Sequence, residues 1–384
     1  MQNPTNTTRI SATIAALALT AALAACSPPP LPTQTAGGGA NGDGSGENFL
    51  VAPSTAVKVK SKQGTTVTSP SGKEFSMPYA DVAPLPDGPV GDPTKTYTIC
   101  FSQADSIGSW AVAQRESAAI EAARHPNVKV LFYNTNNDPL KQVQDLDSCL
   151  AQKVDAAVVW PHSVKPLTPE IEKIKESGTP IVGMERTVAT RNYDSWIYLD
   201  TEASARSLAE QVGKSMNGEG VVVETDGALG SSPQILRNEG FKKALNELYP
   251  NIRIEYTAPT DYSRGQGYKV ALDYLQAHQD QKIGAWYSQY TEIGYGVNQA
   301  LKDYNRTGSV PQFSIVDGKT AVRAVQDGVF HALSPWNPVH GDVGIRVALY
   351  HVLGKPVEKD YLLEQPPVIT KENATEVLKS TWEG

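Results

Sequence analysis

The chain has 384 residues, 40% of them hydrophobic and 20% charged, with a formal net charge of −7. That length exceeds what one hydrophobic core ordinarily supports, so more than one lobe is expected. Its 34 basic residues are dispersed among 41 acidic ones, which excludes a polybasic footprint for nucleic acid or an anionic membrane.

A single basic residue, Arg9, precedes an apolar stretch from Ile10 that ends Leu23-Ala24-Ala25-Cys26. The stretch is too short to span a bilayer comfortably, and small residues before a cysteine form a signal-peptidase pattern. It resembles the bacterial lipobox, which implies removal of residues 1–25 and lipid attachment at Cys26. Two or three acyl chains would anchor the protein firmly, because one chain alone gives only about 10⁴ M⁻¹. From Ser27 to about Asn48 the chain is Pro, Gly, Thr, Ser, Ala and Asn, a composition that cannot bury enough surface to order itself. Beyond it, Val57-Lys58-Val59-Lys60 alternates like a strand, but Pro53, Pro70, Pro78, Pro84, Pro86, Pro89 and Pro93 interrupt its surroundings. Residues 26–93 are therefore read as a tether followed by an extended strap lying on the domain.

From Thr94 onward strands and helices alternate. Strands are predicted at Tyr97–Phe101, Val128–Tyr133, Ala156–Trp160, Pro180–Met184 and Trp196–Leu199. Helices at Ser109–Arg124, Pro139–Gln152, Leu167–Ser177 and Ala203–Met216 separate or follow them. A second pass predicts strands at Val221–Glu224, Ile252–Tyr256, Ala285–Tyr287, Phe313–Val316 and Phe330–Ser334. Its helices are Arg237–Tyr249, Gln266–Ala277, Gly294–Tyr304 and Thr320–Asp327. Such alternation means parallel sheets, and two passes mean two similar α/β lobes. Ligands of such sheets bind beyond the carboxyl ends of the strands.

Those ends carry Asp105, Ser106, Gly108, Ser109 and Trp110; Glu185 and Arg186; Arg237; Asp261-Tyr262; Gln289-Tyr290; Asp317-Gly318; and Ser334-Pro335-Trp336-Asn337. Aromatic faces suit the apolar C–H faces of a sugar ring, and paired acceptors and donors suit its hydroxyls. Each residue also has a plainer use: the tryptophans as loop anchors, Arg186 in an ion pair with Glu185, Asp317 in a turn before Gly318. Arg237 opens the predicted helix, where the dipole disfavours a cation, so its presence there argues for a partner.

In order and spacing, Thr94 to Glu383 resembles the ribose-type, type I periplasmic sugar-binding proteins of ABC importers. Thr98-Ile99-Cys100-Phe101-Ser102 resembles the family's opening strand, with Trp110 at its ring-stacking aromatic. Asn134-Thr135-Asn136-Asn137-Asp138-Pro139 resembles the second-strand exit, and Gly183-Met184-Glu185-Arg186 the acid-Arg ligand pair, with Glu for the usual Asp. Arg237 with Gly240-Phe241, Asp261-Tyr262 and Val316-Asp317-Gly318 match further ligand positions. The chain departs at Gln289-Tyr290-Thr291, where Gln-Asn-Asp is common, and at a longer Ser334–Gly341 loop carrying Trp336 for Gln; the identity of the ligand stays open.

The resemblance implies a periplasmic binding protein type I fold: two similar doubly wound lobes with parallel sheets, joined by a three-strand hinge. The lobes would be 94–199 plus 338–362 and 200–337 plus 363–384, with crossings near Leu199–Thr201, Ser334–Asn337 and Leu362–Gln365. It also implies a monomeric, extracytoplasmic protein that takes a sugar or polyol to an ABC permease, with Trp110, Asp105, Glu185, Arg186, Arg237, Tyr262, Tyr290, Asp317, Trp336 and Asn337 as ligand-facing residues. A receptor for signalling, for an autoinducer-2-like furanose or a sensor partner, fits the same architecture. In this fold the helix holding Cys149 crosses the strand holding Cys100, so the two either form a disulfide or stay buried thiols.

No cofactor or metal is implied. The six histidines lack His-x-x-x-His spacing, and neither a Gly-x-Ser-x-Gly elbow nor a phosphate loop occurs. Glu185 and Asp317 could be drawn as a glycosidase pair in a glycan-processing enzyme, but binding proteins use the same acids as hydroxyl acceptors. Repressors that share the two-lobed core begin with a DNA-binding helix-turn-helix; this chain carries an export signal there, so no nucleic-acid partner is expected.

Overall fold

The computed structural model describes residues 48–62, 64–105, 108–316 and 318–382. The signal segment, Cys26, the tether before Asn48, Ser106 and Asp317 lie outside the described residues.

Three short strands come first: β1 (Val57–Lys60), β2 (Thr66–Thr68) and β3 (Glu74–Ser76). The alternation then runs β4 (Tyr97–Gln103), α1 (Ser109–Ala123), β5 (Val128–Asn134), α2 (Pro139–Ala151), β6 (Ala156–Trp160), α3 (Val164–Glu176), β7 (Ile181–Glu185) and β8 (Ser195–Leu199). The second pass is α4 (Thr201–Ser215), β9 (Glu219–Asp226), α5 (Ser232–Leu248), β10 (Asn251–Pro259), α6 (Arg264–Ala277), β11 (Ala285–Ser288), α7 (Thr291–Asp303), β12 (Gln312–Ile315), α8 (Lys319–Gln326) and β13 (Ala332–Ser334). The chain closes with α9 (Gly341–Val352), β14 (Asp360–Glu364), β15 (Ile369–Thr370) and α10 (Ala374–Val377).

Two sheets result. The first has the order β1-β14-β8-β7-β6-β4-β5 and is parallel throughout. The second has the order β10-β9-β11-β12-β13-β15, parallel except for the β13–β15 pair. Strands β6, β7 and β8 are buried along their whole length because helices cover both faces, which is why they read as continuous apolar runs. The chain leaves the first sheet after Leu199, returns after Ser334 and leaves again after Glu364. Among the described residues no helix is long and apolar enough to cross a membrane.

Beside the unpredicted short elements β2, β3, β14, β15 and α10, three differences from the sequence expectation matter most. The strap does more than lie on the domain. Its β1 adds a parallel edge strand to β14, pairing Val57 with Tyr361 and Lys60 with Glu364, and Tyr79, Val82, Leu85 and Val90 are buried. Helix α9 was not predicted, because residues 341–349 are buried on every side and the segment has no polar face to set a period. It packs between α1 and strands β6 and β7. Its Arg346, 2% exposed, donates to Asp342 (2.7 Å), Glu121 (2.9 Å) and the strap carbonyls of Val82 (2.8 Å) and Tyr79 (2.9 Å). This satisfies a buried guanidinium that would otherwise carry a large desolvation cost. Finally, α5 starts at Ser232, capped by Ser231 and led by Pro233, so Arg237 lies in its second turn; the helix-dipole argument for Arg237 falls.

Cys100 in β4 and Cys149 in α2 are joined by a disulfide, their Cα atoms 6.0 Å apart, within the reach of such a bond.

Candidate functional site

Side chains from the carboxyl ends of the strands meet between the two sheets. Glu185 ends β7 with a left-handed backbone, φ 61°, and is 6% exposed. Its Oε2 accepts from the Trp160 indole at 2.5 Å and its Oε1 from the Trp336 indole at 2.8 Å. Arg186 Nε stands 3.7 Å from the same carboxylate, so the charge is paired. Each carboxylate oxygen thus already takes an indole N–H, so Glu185 orients two tryptophans.

Trp110, early in α1, donates its indole N–H to the Trp336 carbonyl at 2.6 Å, and its ring meets Trp160 with centroids 5.0 Å apart. The guanidinium of Arg186 lies 4.9 Å from the Trp160 ring and 5.4 Å from the Tyr262 ring, and donates to the His162 carbonyl at 2.7 Å. Arg237, 2% exposed, lies 4.6 Å from the Trp336 ring and donates to the Gln289 carbonyl at 2.9 Å; its Nε has no partner among the described residues. Cation-over-aromatic stacking of this kind strengthens when water is excluded.

Tyr262 also has a left-handed backbone, φ 57°, and meets Tyr290 edge to face at 5.8 Å. Its ring covers Gly227, where any Cβ would fall 2.0 Å from the phenol carbon; only glycine permits that approach. Tyr290 reaches the other lobe: a Cβ on Gly108 would stand 3.5 Å from its hydroxyl and 3.6 Å from Asp105 Oδ2. Val316, just before Asp317, is left-handed at φ 86°, a costly state for a β-branched residue, of a kind that clusters at functional sites. Asn337 does not join the group. Its Oδ1 caps a local turn at Val339 N, 2.8 Å, and its own N–H donates to Gln365 Oε1 at 3.0 Å, tying two inter-sheet crossings together.

Sequence reasoning missed four contributors. Trp160 was counted as the last core residue of a strand. His162 follows it, with Nε2 2.9 Å from Asn137 Oδ1; burial, helped by Arg186, lowers its pKa to about 4 and keeps it neutral. Asp226, two residues past the predicted end of its strand, and Glu224, 0% exposed, form a buried acid pair bridged by the Gln289 amide at 3.2 and 3.1 Å. Burial, and repulsion from Asp226, raise Glu224 well above the usual carboxylate range, so one proton stays with the pair. The same Gln289 accepts from Arg237, so the acid pair holds the arginine's partner in place. Extending the strand-end rule by two residues would have found Asp226 and His162.

Comparison with known proteins agrees with this geometry. Residues 99–356 match the family model described as a periplasmic binding protein domain. The xylitol-binding protein of Mycolicibacterium smegmatis is 28% identical over 65% of this chain and 71% of its own. The ribose import binding protein of Bacillus subtilis is 24% identical over 69% and 85%. Among solved structures, the fructose-binding periplasmic domain of a hybrid two-component system superposes with a TM-score of 0.70 at 26% identity, covering 74% of this chain and 93% of that one. The matched proteins bind solutes rather than transform them, so the glycan-processing reading falls away. With its two parallel-sheet lobes and most of its length under one family model, this chain belongs to the periplasmic binding protein family.

Proposed function

We propose that this protein captures a sugar or sugar-like polyol between its lobes and delivers it to an ABC permease, from the extracytoplasmic face of the membrane. The observation that carries the reading is Arg237: a buried guanidinium stacked on Trp336, with an Nε donor that no atom of the described residues satisfies. Such a donor is costly to bury unless something accepts from it, and a ligand hydroxyl does so. Trp110, Trp160 and Trp336 supply apolar faces for a ring, Arg186 and Tyr262 meet from opposite lobes, and Asp317 adds an acceptor. Glu185 serves by fixing the tryptophans. The named ligands of the relatives, xylitol and ribose, are of this chemical class.

Capture proceeds by hinge closure about the three crossings, driven by the ligand's higher affinity for the closed form. A micromolar dissociation constant, about −8 kcal/mol, is enough for uptake. The protein acts as a monomer, anchored through a lipid on Cys26. Mass spectrometry of the mature amino terminus tests the anchor, and an unmodified Cys26 refutes it.

A signalling receptor is the second reading, favoured by the likeness to the fructose-binding periplasmic domain of a hybrid two-component system. A thermal-shift screen against pentoses, hexoses, polyols, cyclitols and furanoses tests the main proposal. A ligand at 100 times its dissociation constant adds about 2.7 kcal/mol of stability. A shift of several degrees with one class supports capture and names the cargo; no shift with any, on protein stripped of carried-over ligand, refutes it.

A further inference from the structure

Asn48–Ala52, the first described stretch of the strap, lies far outside the family match, which begins at residue 99. It nevertheless sits across the cleft. Leu50 is 1% exposed and forms one apolar cluster with Val164, at the start of α3 in the first lobe, and Leu236, in α5 of the second. The segment is fastened to the first lobe. The Thr187 hydroxyl donates to the Leu50 carbonyl at 2.8 Å, and Arg191 donates to the carbonyls of Val51 at 2.7 Å and Phe49 at 3.2 Å. Around it the lobes touch directly: Val164 N donates to the Gly230 carbonyl at 3.0 Å and Thr187 N to the Ser232 hydroxyl at 2.7 Å. Leu50, Val51 and Ala52 also wall a cavity of about 170 Å³ shared with Glu185, Ser232 and Leu236.

We propose that Asn48–Ala52 is an intrachain clasp: carried by the first lobe through Thr187 and Arg191, it wedges Leu50 against Leu236 of the second lobe and holds the cleft shut. The cluster is complete only while the lobes meet, because opening moves Leu236 away from Val164 and uncovers the face of Leu50 that Leu236 covers. The clasp therefore favours the closed state and slows its opening. This inference rests on the binding-protein reading for its role in ligand retention; the clasp itself concerns only the lobes.

The test uses the full mature chain and the variants Leu50→Asp, Leu50→Ala and Leu50→Met. Hydrogen exchange is followed at the Val164 and Thr187 amides, two backbone donors that bridge the lobes beside the clasp. Losing the buried leucine makes both exchange at least about tenfold faster in Leu50→Asp, less so in Leu50→Ala, with Leu50→Met near wild type. Release of xylitol or D-ribose, whichever the wild type binds, is read by tryptophan fluorescence; it accelerates by about the same factor while association stays unchanged. Wild-type exchange at both amides in Leu50→Asp and Leu50→Ala overturns the clasp. If the wild type binds neither probe, those two sugars are excluded, and the exchange rates still decide the clasp.

Discussion

His340 stands where the chain crosses back to the first lobe, fully buried, and its hydrogen bonds fix its charge. Gln103 Nε2 donates to Gln114 Oε1 at 3.1 Å, which turns the Gln114 amide N–H toward His340 Nε2 at 3.2 Å. Nε2 must therefore accept, while Nδ1–H donates to the Asn337 carbonyl at 3.0 Å. Both nitrogens are committed to the neutral tautomer, and burial lowers the pKa from 6.5 to about 4. The folded value lies below the unfolded one, so the unfolded chain binds a proton that the folded chain refuses. The stability is fully present above about pH 6.5 and is lost as pH falls toward 4, by up to about 1.4 kcal/mol per unit. Between pH 7 and pH 5 the loss comes to about 2 kcal/mol for this one group. His340→Gln removes the titration and keeps a side chain able to donate and accept. Urea unfolding of both proteins at pH 7 and pH 5 isolates it, because His162 and every carboxylate are common to the pair. The wild type should lose about 2 kcal/mol more than the variant over that interval. Equal losses would mean that His340 is protonated in the native state, and the reasoning fails.

Further outcomes follow from the site and the core. Arg237→Ala removes a charge-assisted donor, and calorimetric titration with the cargo sugar should show binding weakened by about 1.5–3 kcal/mol while the melting temperature barely moves. Gly227→Ala must push the Tyr262 ring off its backbone seat; binding should weaken and exposure of the tyrosine to solvent rise, and an unchanged affinity would exclude Tyr262 from the ligand surface. Glu185→Leu strands two buried indole donors, at about 1–3 kcal/mol each, visible as lost stability with a shifted tryptophan emission. Replacing Cys100 and Cys149 by Ala opens a loop of 49 residues, which lowers stability by about 4 kcal/mol on loop entropy, with ligand affinity intact.

Much of this architecture is legible in the chain because each element shows its own period. Runs such as Ala156–Trp160 and Ile181–Glu185 are apolar end to end, and turns and caps such as Asp138-Pro139 separate them from helices with one polar face. The same logic explains the failures. Helix α9 has no polar face to betray it. The start of α5 was signalled by Ser231 and Pro233, a cap and a helix-opening proline, but its period becomes visible only later. Trp160 looks like any core aromatic, since nothing local reveals that Glu185, from the next strand, accepts from its indole.

The strap marks the deeper limit. Its prolines signal a segment with little regular structure, and apart from the local β2–β3 pair what orders it comes from remote residues: Arg346 for the Tyr79 and Val82 carbonyls, Tyr361 beside Val57, Arg191 and Thr187 for the turn at Leu50. A segment that satisfies its backbone on another element's surface carries no period in its sequence, because its alternation is set by the partner and not by its own helix or pleat. Leu50 is the clearest case. In the sequence it is the middle of a short apolar run, Phe49-Leu50-Val51, at the end of a polar tether; in the fold it is apolar surface that both lobes must meet to cover fully. Large apolar residues at the end of a polar linker are thus candidates for docking onto the domain they lead into, and their energetic weight depends on whether the surface they reach moves.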